Sequence, residues 1–248
     1  MQGALLGPSF TVEQVIERLI AYDPQFHQFD EEELLQTVAH AITEDKVVGW
    51  FQGRMEFGPR ALGARSILGN AASSKTQKKM NLKIKYRESF RPFAPSVLEE
   101  KSGEYFEQNP SSPYMLITSP VAKKQYLAEM GLNSESKKGF SRLENIKTTI
   151  PAVTHVDGSA RLQTVSSKTN HRYYELIKKV GELSGTYLVV NTSFNVRGEP
   201  IVCFPEDAYM CFMGTEMDLL VIENLVFIKQ EQPHYEDREK WNRPFPAD

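Results

Sequence analysis

Residues 46–69 read Lys46-Val-Val-Gly-Trp-Phe-Gln-Gly-Arg-Met-Glu-Phe-Gly-Pro-Arg-Ala-Leu-Gly-Ala-Arg-Ser-Ile-Leu-Gly69. Residues 46–51, which are uncharged and mostly apolar after Lys46, predict a buried strand, and residues 65–69 predict a second, short strand. The loop between them is rich in glycine, which adopts backbone conformations with positive φ and lets the chain approach a ligand closely. A buried strand that runs into such a loop is a natural place for a phosphate or a carboxylate.

The segments on either side of this stretch alternate between helical and extended patterns. Capping residues Thr11 and Asp30 each precede an apolar face with helical spacing, which predicts two helices before the first strand. Further helices are predicted over 74–84, 170–183 and 205–213, further strands over 114–118, 187–191 and 219–229, an extended stretch over 90–98, and a hairpin that joins 153–157 to 160–165. This alternation predicts a mixed α/β sheet with flanking helices.

The composition excludes several classes of protein. Of the 248 residues, 40% are hydrophobic and 25% are charged, which is typical of soluble globular proteins. No apolar run approaches the ~18 residues of a membrane span, and the first residues lack the pattern of a signal peptide. The two cysteines, Cys203 and Cys211, form no CxxC motif. We therefore expect buried, reduced thiols in a cytoplasmic protein.

The charge is unevenly distributed along the chain. There are 29 Lys and Arg against 32 Asp and Glu, which gives a net charge of −3. Residues 54–91 contain ten basic and two acidic residues, a local charge of +8, so the rest of the chain carries −11. A weakly negative protein repels polyanions, which excludes a DNA-coating role. The basic block predicts a local anion site or a small nucleic-acid patch.

Three arginines occupy the loop after the first buried strand. Arg54, Arg60 and Arg65 lie within twelve positions of one another, and arginine binds planar carboxylates and phosphates through two parallel hydrogen bonds. The loop is not a P-loop, because Ala64 and Arg65 stand where that motif requires Lys and Ser or Thr. The alternative is a structural turn whose arginines pair with surface acids.

The second basic segment precedes two prolines. In an extended chain, Lys85, Arg87, Ser89 and Arg91 fall on one face and make a cationic stripe that suits a polyphosphate. In a helix, Lys85 and Ser89 would align instead. The lysines at 75, 78 and 79 are expected to be a solvated helix face.

Two polar motifs lie further along the chain. Residues 191–195, Asn-Thr-Ser-Phe-Asn, follow a predicted strand, where Ser193 and Asn195 can donate to phosphoryl oxygens; the alternative is an Asx or Ser/Thr turn. His155, with Asp157 and Arg161 nearby, predicts a polar site, although a lone histidine is often a satisfied core residue. We find no residue pattern for a metal site held by protein alone.

Together these segments resemble the C-terminal domain of the O-carbamoyltransferase family, which includes nodulation protein U and antibiotic carbamoyltransferases such as TobZ. The matching runs are residues 53–68, 84–98, 155–165 and 191–195, and the similarity extends from about Leu6 to about Phe227. The resemblance implies a YrdC-like fold, a twisted mixed α/β sheet with a concave basic surface. It also implies that the domain binds ATP and carbamoyl phosphate and forms carbamoyl adenylate, with Mg²⁺ accompanying the nucleotide.

The resemblance also implies a division of labour with another domain. In the family, a separate N-terminal domain related to sugar-kinase and Hsp70-like ATPases carries a His-bound metal and passes the carbamoyl group to a hydroxyl of a small-molecule acceptor. We therefore interpret residues 1–28 as a linker and helix that follow a missing N-terminal domain, 29–230 as the YrdC-like domain and 231–248 as a polar tail. Residues 119–149 match the family poorly and are predicted to be a surface excursion.

The family's contacts transfer to matching positions of this chain. The expected catalytic residues are Arg60, Lys85, Arg161 and Ser193. The expected nucleotide- and carbamoyl-binding residues are Lys85, Arg87, Arg91, Ser193, Asn195, Arg54, Asn191 and His155. Lys85 and Arg91 are expected to hold the triphosphate, and Arg60 and Arg161 to hold the carbamoyl end and the α-phosphate.

The sequence is also compatible with two other functions. A YrdC-like RNA-binding or tRNA-modification module would use the basic block to bind polynucleotide with a steep salt dependence. A non-catalytic interaction domain would bind no nucleotide. Nucleic acid is the less expected partner, because the basic residues are not interleaved with aromatic residues in an RNA-binding pattern.

Overall fold

The computed structural model describes residues 3–107, 111–127 and 147–233. The predicted surface excursion at 119–149 and the predicted tail at 231–248 lie largely outside these described residues. Within the described parts of the chain, no helix has the length and apolarity needed to cross a membrane.

Nine strands and six α-helices alternate along the described chain. The strands are β1 (His27–Gln28), β2 (Val48–Phe51), β3 (Arg65–Gly69), β4 (Ala94–Leu98), β5 (Ile117–Pro120), β6 (Ser159–Val165), β7 (Leu188–Ser193), β8 (Leu219–Ile222) and β9 (Leu225–Ile228). The helices are α1 (Val12–Leu19), α2 (Glu31–Thr43), α3 (Ser74–Lys83), α4 (Ser102–Tyr105), α5 (His171–Ser184) and α6 (Pro205–Met213). The predicted mixed α/β class is confirmed.

The strands form one sheet in the order β1-β9-β8-β2-β3-β7-β4-β6-β5. The pairs β2–β8 and β4–β6 are parallel, and the other neighbouring pairs are antiparallel. Helices cover both faces, because alternate residues of the central strands are apolar in both directions. Trp50 and Val48 pack with α2 and α5, whereas Phe51 packs with α1, α3 and α6.

Helix caps predicted from the sequence are present. Thr11 and Gln14 form a reciprocal capping box at the start of α1, and the Asp30 side chain accepts from the Glu33 amide at the start of α2. On α1, Val15 and Leu19 are buried in the core, and the Arg18 Nε atom lies 2.9 Å from the Glu206 carboxylate on α6. The interpretation of residues 1–28 as a linker stays a prediction.

Four predicted elements differ from the structure. The single strand predicted over 219–229 is two antiparallel strands, β8 and β9, with a turn at residues 223–224 between them. The turn at Asp157-Gly158 is present, but the segment before it is a 3₁₀ turn at Pro151–Val153, and β6 pairs instead with β4 and β5. The strand predicted over 114–118 lies three residues later, at Ile117–Pro120. The cationic stripe predicted over 85–91 does not form, because Tyr86 has a φ of 47° and the backbone turns there.

Candidate functional site

The predicted site segments meet at one end of the sheet. Strand β2 ends at Phe51, which pairs with Arg65 at the start of β3, and Ser193 at the end of β7 pairs with Ser66. The start of β4 lies beside β7, since Ala94 pairs with Asn191. The loops that carry the four sequence motifs therefore leave the sheet at the same end.

The loop between β2 and β3 is organised by Glu56, which the sequence analysis did not single out. Glu56 is 4% exposed, and its Oε1 atom accepts from the backbone amides of Leu62 (2.7 Å), Ala64 (2.7 Å) and Arg65 (3.0 Å). One carboxylate oxygen thus closes the second half of the loop. The hydrogen-bond partners of Glu56 are backbone amides six to nine residues later, and backbone partners leave no mark in the sequence. The one hint of this role in the sequence is an acidic residue among three arginines.

Arg65 has a structural role in this loop. Its side chain is buried and donates to the carbonyls of Gln52, Gly53 and Pro8 at 3.0–3.2 Å. The guanidinium carbon lies 3.5 Å from the centre of the Phe51 ring. Burial lowers the pKa of Arg65 to about 10. Of the three loop arginines expected to bind an anion, Arg65 is therefore used to hold the loop itself.

Arg60, in the loop between β2 and β3, and Arg161, near the start of β6, form a pair of cations. Both side chains are half-buried, and the Nε atom of each is fully buried with no hydrogen-bond partner among the described residues. Burial lowers the pKa of Arg161, and the nearby charge of Arg60 lowers it further. No carboxylate of the described chain forms an ion pair with either residue. Two like charges held together in this way make a site for an anion.

His155 lies beside this pair. Burial is the main cause that lowers its pKa, and the charge of Arg161 lowers it as well, while Asp157 opposes the shift. The turn that carries His155 is fixed by Asp157, whose Oδ1 atom accepts from the amide (2.9 Å) and the hydroxyl (2.7 Å) of Ser159. The turn thus holds His155 next to Arg161, in surroundings that favour the neutral imidazole.

Lys85, Ser193 and Asn195 form a second group. Lys85 is 5% exposed, and its Nζ atom lies 2.5 Å from Ser193 O, 2.8 Å from Asn195 O and 2.8 Å from Asn195 Oδ1. The Ser193 hydroxyl donates to Asn195 Oδ1 at 2.7 Å. Burial lowers the pKa of Lys85 to about 7, and the neighbouring charge of Arg87 lowers it while Glu199 raises it. The structure therefore brings these three predicted residues together.

A cavity of about 520 Å³ opens beside the Lys85 group, between the segment after β7 and helix α6. Val196, Glu199 and Cys211 line it, together with Tyr86 at the rim. Its walls are largely apolar with a few charged groups, and its size falls in the range typical of small-molecule sites.

Asn191 connects the two groups from its place on β7. Its side-chain amide donates to Gln163 Oε1 at 2.8 Å, to Ser96 Oγ at 3.0 Å and to Ala61 O at 3.1 Å. Ala61 is adjacent to Arg60, and Gln163 lies two residues after Arg161 on β6. Asn191 is 1% exposed, so it lies beneath the site, where it joins β7 to the Arg60 loop and to β6, which carries Arg161.

The remaining predicted binding residues make their hydrogen bonds and ion pairs outside the two groups. Arg54 is exposed and donates to Leu6 O at 2.8 Å. Arg87 lies over the Phe93 ring, 4.8 Å from its centre, and its Nε donates to Asn81 at 2.7 Å. Arg91 forms an exposed ion pair with Glu88 at 3.1 Å. Arg87 and Arg91 do not line one face with Lys85 as the alternation predicted, and the roles of Arg54, Arg87 and Arg91 in binding stay predictions.

Comparisons with known proteins identify the family. The family model described as carbamoyltransferase C-terminus matches residues 39–229. The chain belongs to the carbamoyltransferase C-terminal family. It is 52% identical over its whole length to uncharacterized protein sll1178 of Synechocystis sp., of which it covers 40%.

Nodulation proteins are among the relatives of this carbamoyltransferase C-terminal domain. The chain is 38% identical to nodulation protein NolNO of Sinorhizobium fredii over 98% of its own length and 33% of the relative's. It is 36% identical to nodulation protein U of the same species over 73% of its own length and 28% of the relative's. The chain therefore spans well under half the length of these relatives.

Proposed function

We propose that this carbamoyltransferase C-terminal domain binds ATP and carbamoyl phosphate and forms carbamoyl adenylate. A separate domain would then transfer the carbamoyl group to a hydroxyl of a small-molecule acceptor. Family membership supports the carbamoyl chemistry. The observation that carries the proposal is the pairing of Arg60 with Arg161, whose buried Nε atoms have no partner among the described residues.

The Arg60–Arg161 pair fits the substrate anions. Each guanidinium offers N–H donors in a planar fork that matches phosphate and carboxylate oxygens. An anion placed between the two side chains removes their mutual repulsion and satisfies the buried donors, so binding and charge neutralisation reinforce each other. We assign the carbamoyl end and the α-phosphate to this pair.

The Lys85 group supplies the second half of the proposed site. In its present arrangement Lys85, Ser193 and Asn195 satisfy one another. We propose that phosphoryl oxygens of ATP replace some of these internal contacts and that the adenosine part occupies the adjoining 520 Å³ cavity. Mg²⁺ would arrive with the nucleotide, held mainly by phosphates and water.

The proposed reaction balances with one water molecule. Carbamoyl phosphate and water give phosphate and carbamate, and a carbamate oxygen then attacks the α-phosphorus of ATP. The bond from that phosphorus to the β-phosphate oxygen breaks, and pyrophosphate leaves. This step needs no protein nucleophile, because positioning and stabilisation of negative charge supply the catalysis.

We also propose a reducing, cytoplasmic setting for the domain. Cys203 and Cys211 are both free thiols. Cys211 is buried, and its burial raises its pKa to about 12, so it is an inert core thiol; Cys203 is half-buried rather than buried as predicted.

The first prediction tests the arginine pair. Arg60→Ala removes one of two anion-binding guanidinium groups, so carbamoyl-phosphate-dependent ATP/pyrophosphate exchange is expected to fall about 100-fold. Exchange is measured with labelled pyrophosphate, and carbamoyl adenylate is detected by mass spectrometry. Arg18→Ala, which changes an arginine on α1 that pairs with Glu206, is the matched control and is expected to retain exchange. Wild-type exchange in Arg60→Ala would contradict the proposal.

A further inference from the structure

The segment before α1 lies along the loop that carries Arg60. Its backbone forms a short ladder with that loop, in which the Phe57 amide donates to Ala4 O (2.6 Å) and the Gly7 amide donates to Met55 O (2.9 Å). The Met55 amide donates in turn to Pro8 O at 3.0 Å. We name residues 4–8 the strap, since they lie across residues 54–57 as an added extended segment.

Two arginine side chains fasten the strap from the loop side. Arg54 donates to Leu6 O at 2.8 Å, and the buried Arg65 donates to Pro8 O at 3.0 Å. Charged donors make the stronger hydrogen bonds in proteins, and the Arg65 bond is part-buried. The strap thus uses two of the three cations that the sequence places in this loop.

The strap also reaches the surroundings of Arg161, the other arginine of the anion site. Ala4 is 6% exposed and packs in one apolar cluster with Leu62, Ala94 and Met115. The Met115 sulfur lies 4.0 Å from a terminal nitrogen of Arg161. One short segment therefore contacts the Arg60 loop through its backbone and the surroundings of Arg161 through its side chain.

The fit between strap and loop depends on Gly7. A Cβ atom at this position would lie 2.8 Å from the Met55 Cβ and 3.1 Å from the Met55 carbonyl oxygen. Contacts this short force the two backbones apart. The φ of Gly7 is not positive, so its backbone conformation is open to other residues. Glycine is required here because the strap approaches the loop closely.

From these contacts we infer that the strap is a positioning element of the anion site. It touches no substrate; instead it pairs with the first half of the loop, residues 54–57, while the Glu56 side chain closes the second half, so that Arg60 stays next to Arg161. Loosening the strap lets the Arg60 loop relax away from Arg161 and lowers the affinity for anions. The inference rests on the proposed function, because it takes the Arg60–Arg161 pair as the anion site.

The test measures binding of pyrophosphate to the full chain by isothermal titration calorimetry, with pyrophosphate as a small stand-in for the phosphoryl anions that the Arg60–Arg161 pair is proposed to hold. Gly7→Val is expected to weaken pyrophosphate binding about 10-fold, the size of one charge-assisted hydrogen bond. Gly7→Ala is expected to act in the same direction by a smaller factor, and it serves where the valine variant does not fold. Ile20→Ala is the control with unchanged affinity, because Ile20 is 75% exposed and lies after α1, outside the strap and both site groups.

A double-mutant cycle separates positioning from a general loss of structure. In the Arg60→Ala background, Gly7→Val is expected to cause no further loss of pyrophosphate affinity, because the residue it positions is absent. Unchanged affinity in both Gly7 variants, or an equal loss with and without Arg60, would overturn the role of the strap. If Arg60→Ala itself binds pyrophosphate like the wild type, it is the proposed function that fails.

Discussion

Lys85 combines two opposing effects at one atom. Its burial disfavours the charged form and lowers its pKa to about 7. The four oxygen atoms around Nζ favour the ammonium form, since an ammonium group has three hydrogens to donate and an amine has two. A lysine that titrates near neutral pH beside Ser193 and Asn195 would make the contacts of the second group depend on pH.

A stability measurement decides which effect dominates at Lys85. The unfolded chain keeps this proton up to about pH 10.4, whereas the folded protein releases it near pH 7, so the unfolded state binds more protons between these values. The free energy of unfolding of the wild type, relative to Lys85→Met, should therefore rise with pH in this window by up to about 1.4 kcal/mol per unit. Urea unfolding between pH 6 and 10 measures the difference.

The control for this measurement is an exposed lysine. Lys178→Met on α5 is expected to show no comparable pH dependence, because Lys178 is about half exposed. A difference between wild type and Lys85→Met that stays constant across the window would show that the hydrogen bonds hold the proton against burial.

At the scale of elements, the packing of α5 on the sheet depends on one glycine. A Cβ atom on Gly181 would lie 2.1 Å from Cδ1 and 2.4 Å from Cγ of Tyr187, just before β7. The contacts involve the part of the ring nearest its backbone, so the ring cannot move aside without shifting β7.

Gly181→Ala is therefore expected to destabilise the protein by about 1–3 kcal/mol, although alanine is the better helix former by about 1 kcal/mol. The clash outweighs the helix propensity because the contact is far below van der Waals distance. Thermal and urea unfolding measure the effect, with Lys178→Ala on the exposed face of α5 as control. A stabilised Gly181→Ala protein would show that α5 and β7 separate easily.

The elements show how far the sequence could predict this molecule. Helices with a capping residue and an apolar face, such as α1 and α2, were predicted correctly, because both signals are local in sequence. The extended stripe at 85–91 was wrong, since the left-handed backbone at Tyr86 redirects the chain. The motifs converge at one end of the sheet because of the strand order, and this order cannot be inferred from local patterns in a single sequence.

The site shows the same limit. Arg60, Arg161, Lys85, Ser193 and Asn195 were singled out from residue type and resemblance, and the structure groups them into two adjoining clusters. The roles of Glu56 and Arg65 could not be predicted, because both bond to backbone groups brought near by folding. A buried arginine that binds carbonyls and one that binds an anion look identical in sequence.

The whole molecule argues against a polynucleotide partner, since three of the ten cations in its basic block pair with acids and two more, Arg65 and Lys85, are buried. Lys79 lies 2.6 Å from Asp218, Lys83 lies 3.2 Å from Glu216, and Arg91 pairs with Glu88. Among the lysines of α3, only those at 75 and 78 have no acidic partner within the described residues. The −11 carried by the rest of the chain repels a polyanion further.

A binding experiment at two salt concentrations tests this balance of charge. Labelled single-stranded RNA, followed by fluorescence anisotropy, is expected to bind with a dissociation constant of about 10⁻⁴ M or weaker, and two phosphate contacts predict about a 10-fold loss between 50 and 200 mM salt. Replacing Lys75 and Lys78 with Gln should remove this residual binding and leave pyrophosphate binding intact, because both lysines lie on α3 and not in either site cluster. Arg60→Ala should weaken pyrophosphate binding and leave the residual RNA binding unchanged. Submicromolar RNA binding that Arg60→Ala abolishes would instead make the arginine pair a nucleic-acid contact and would reassign the whole basic block.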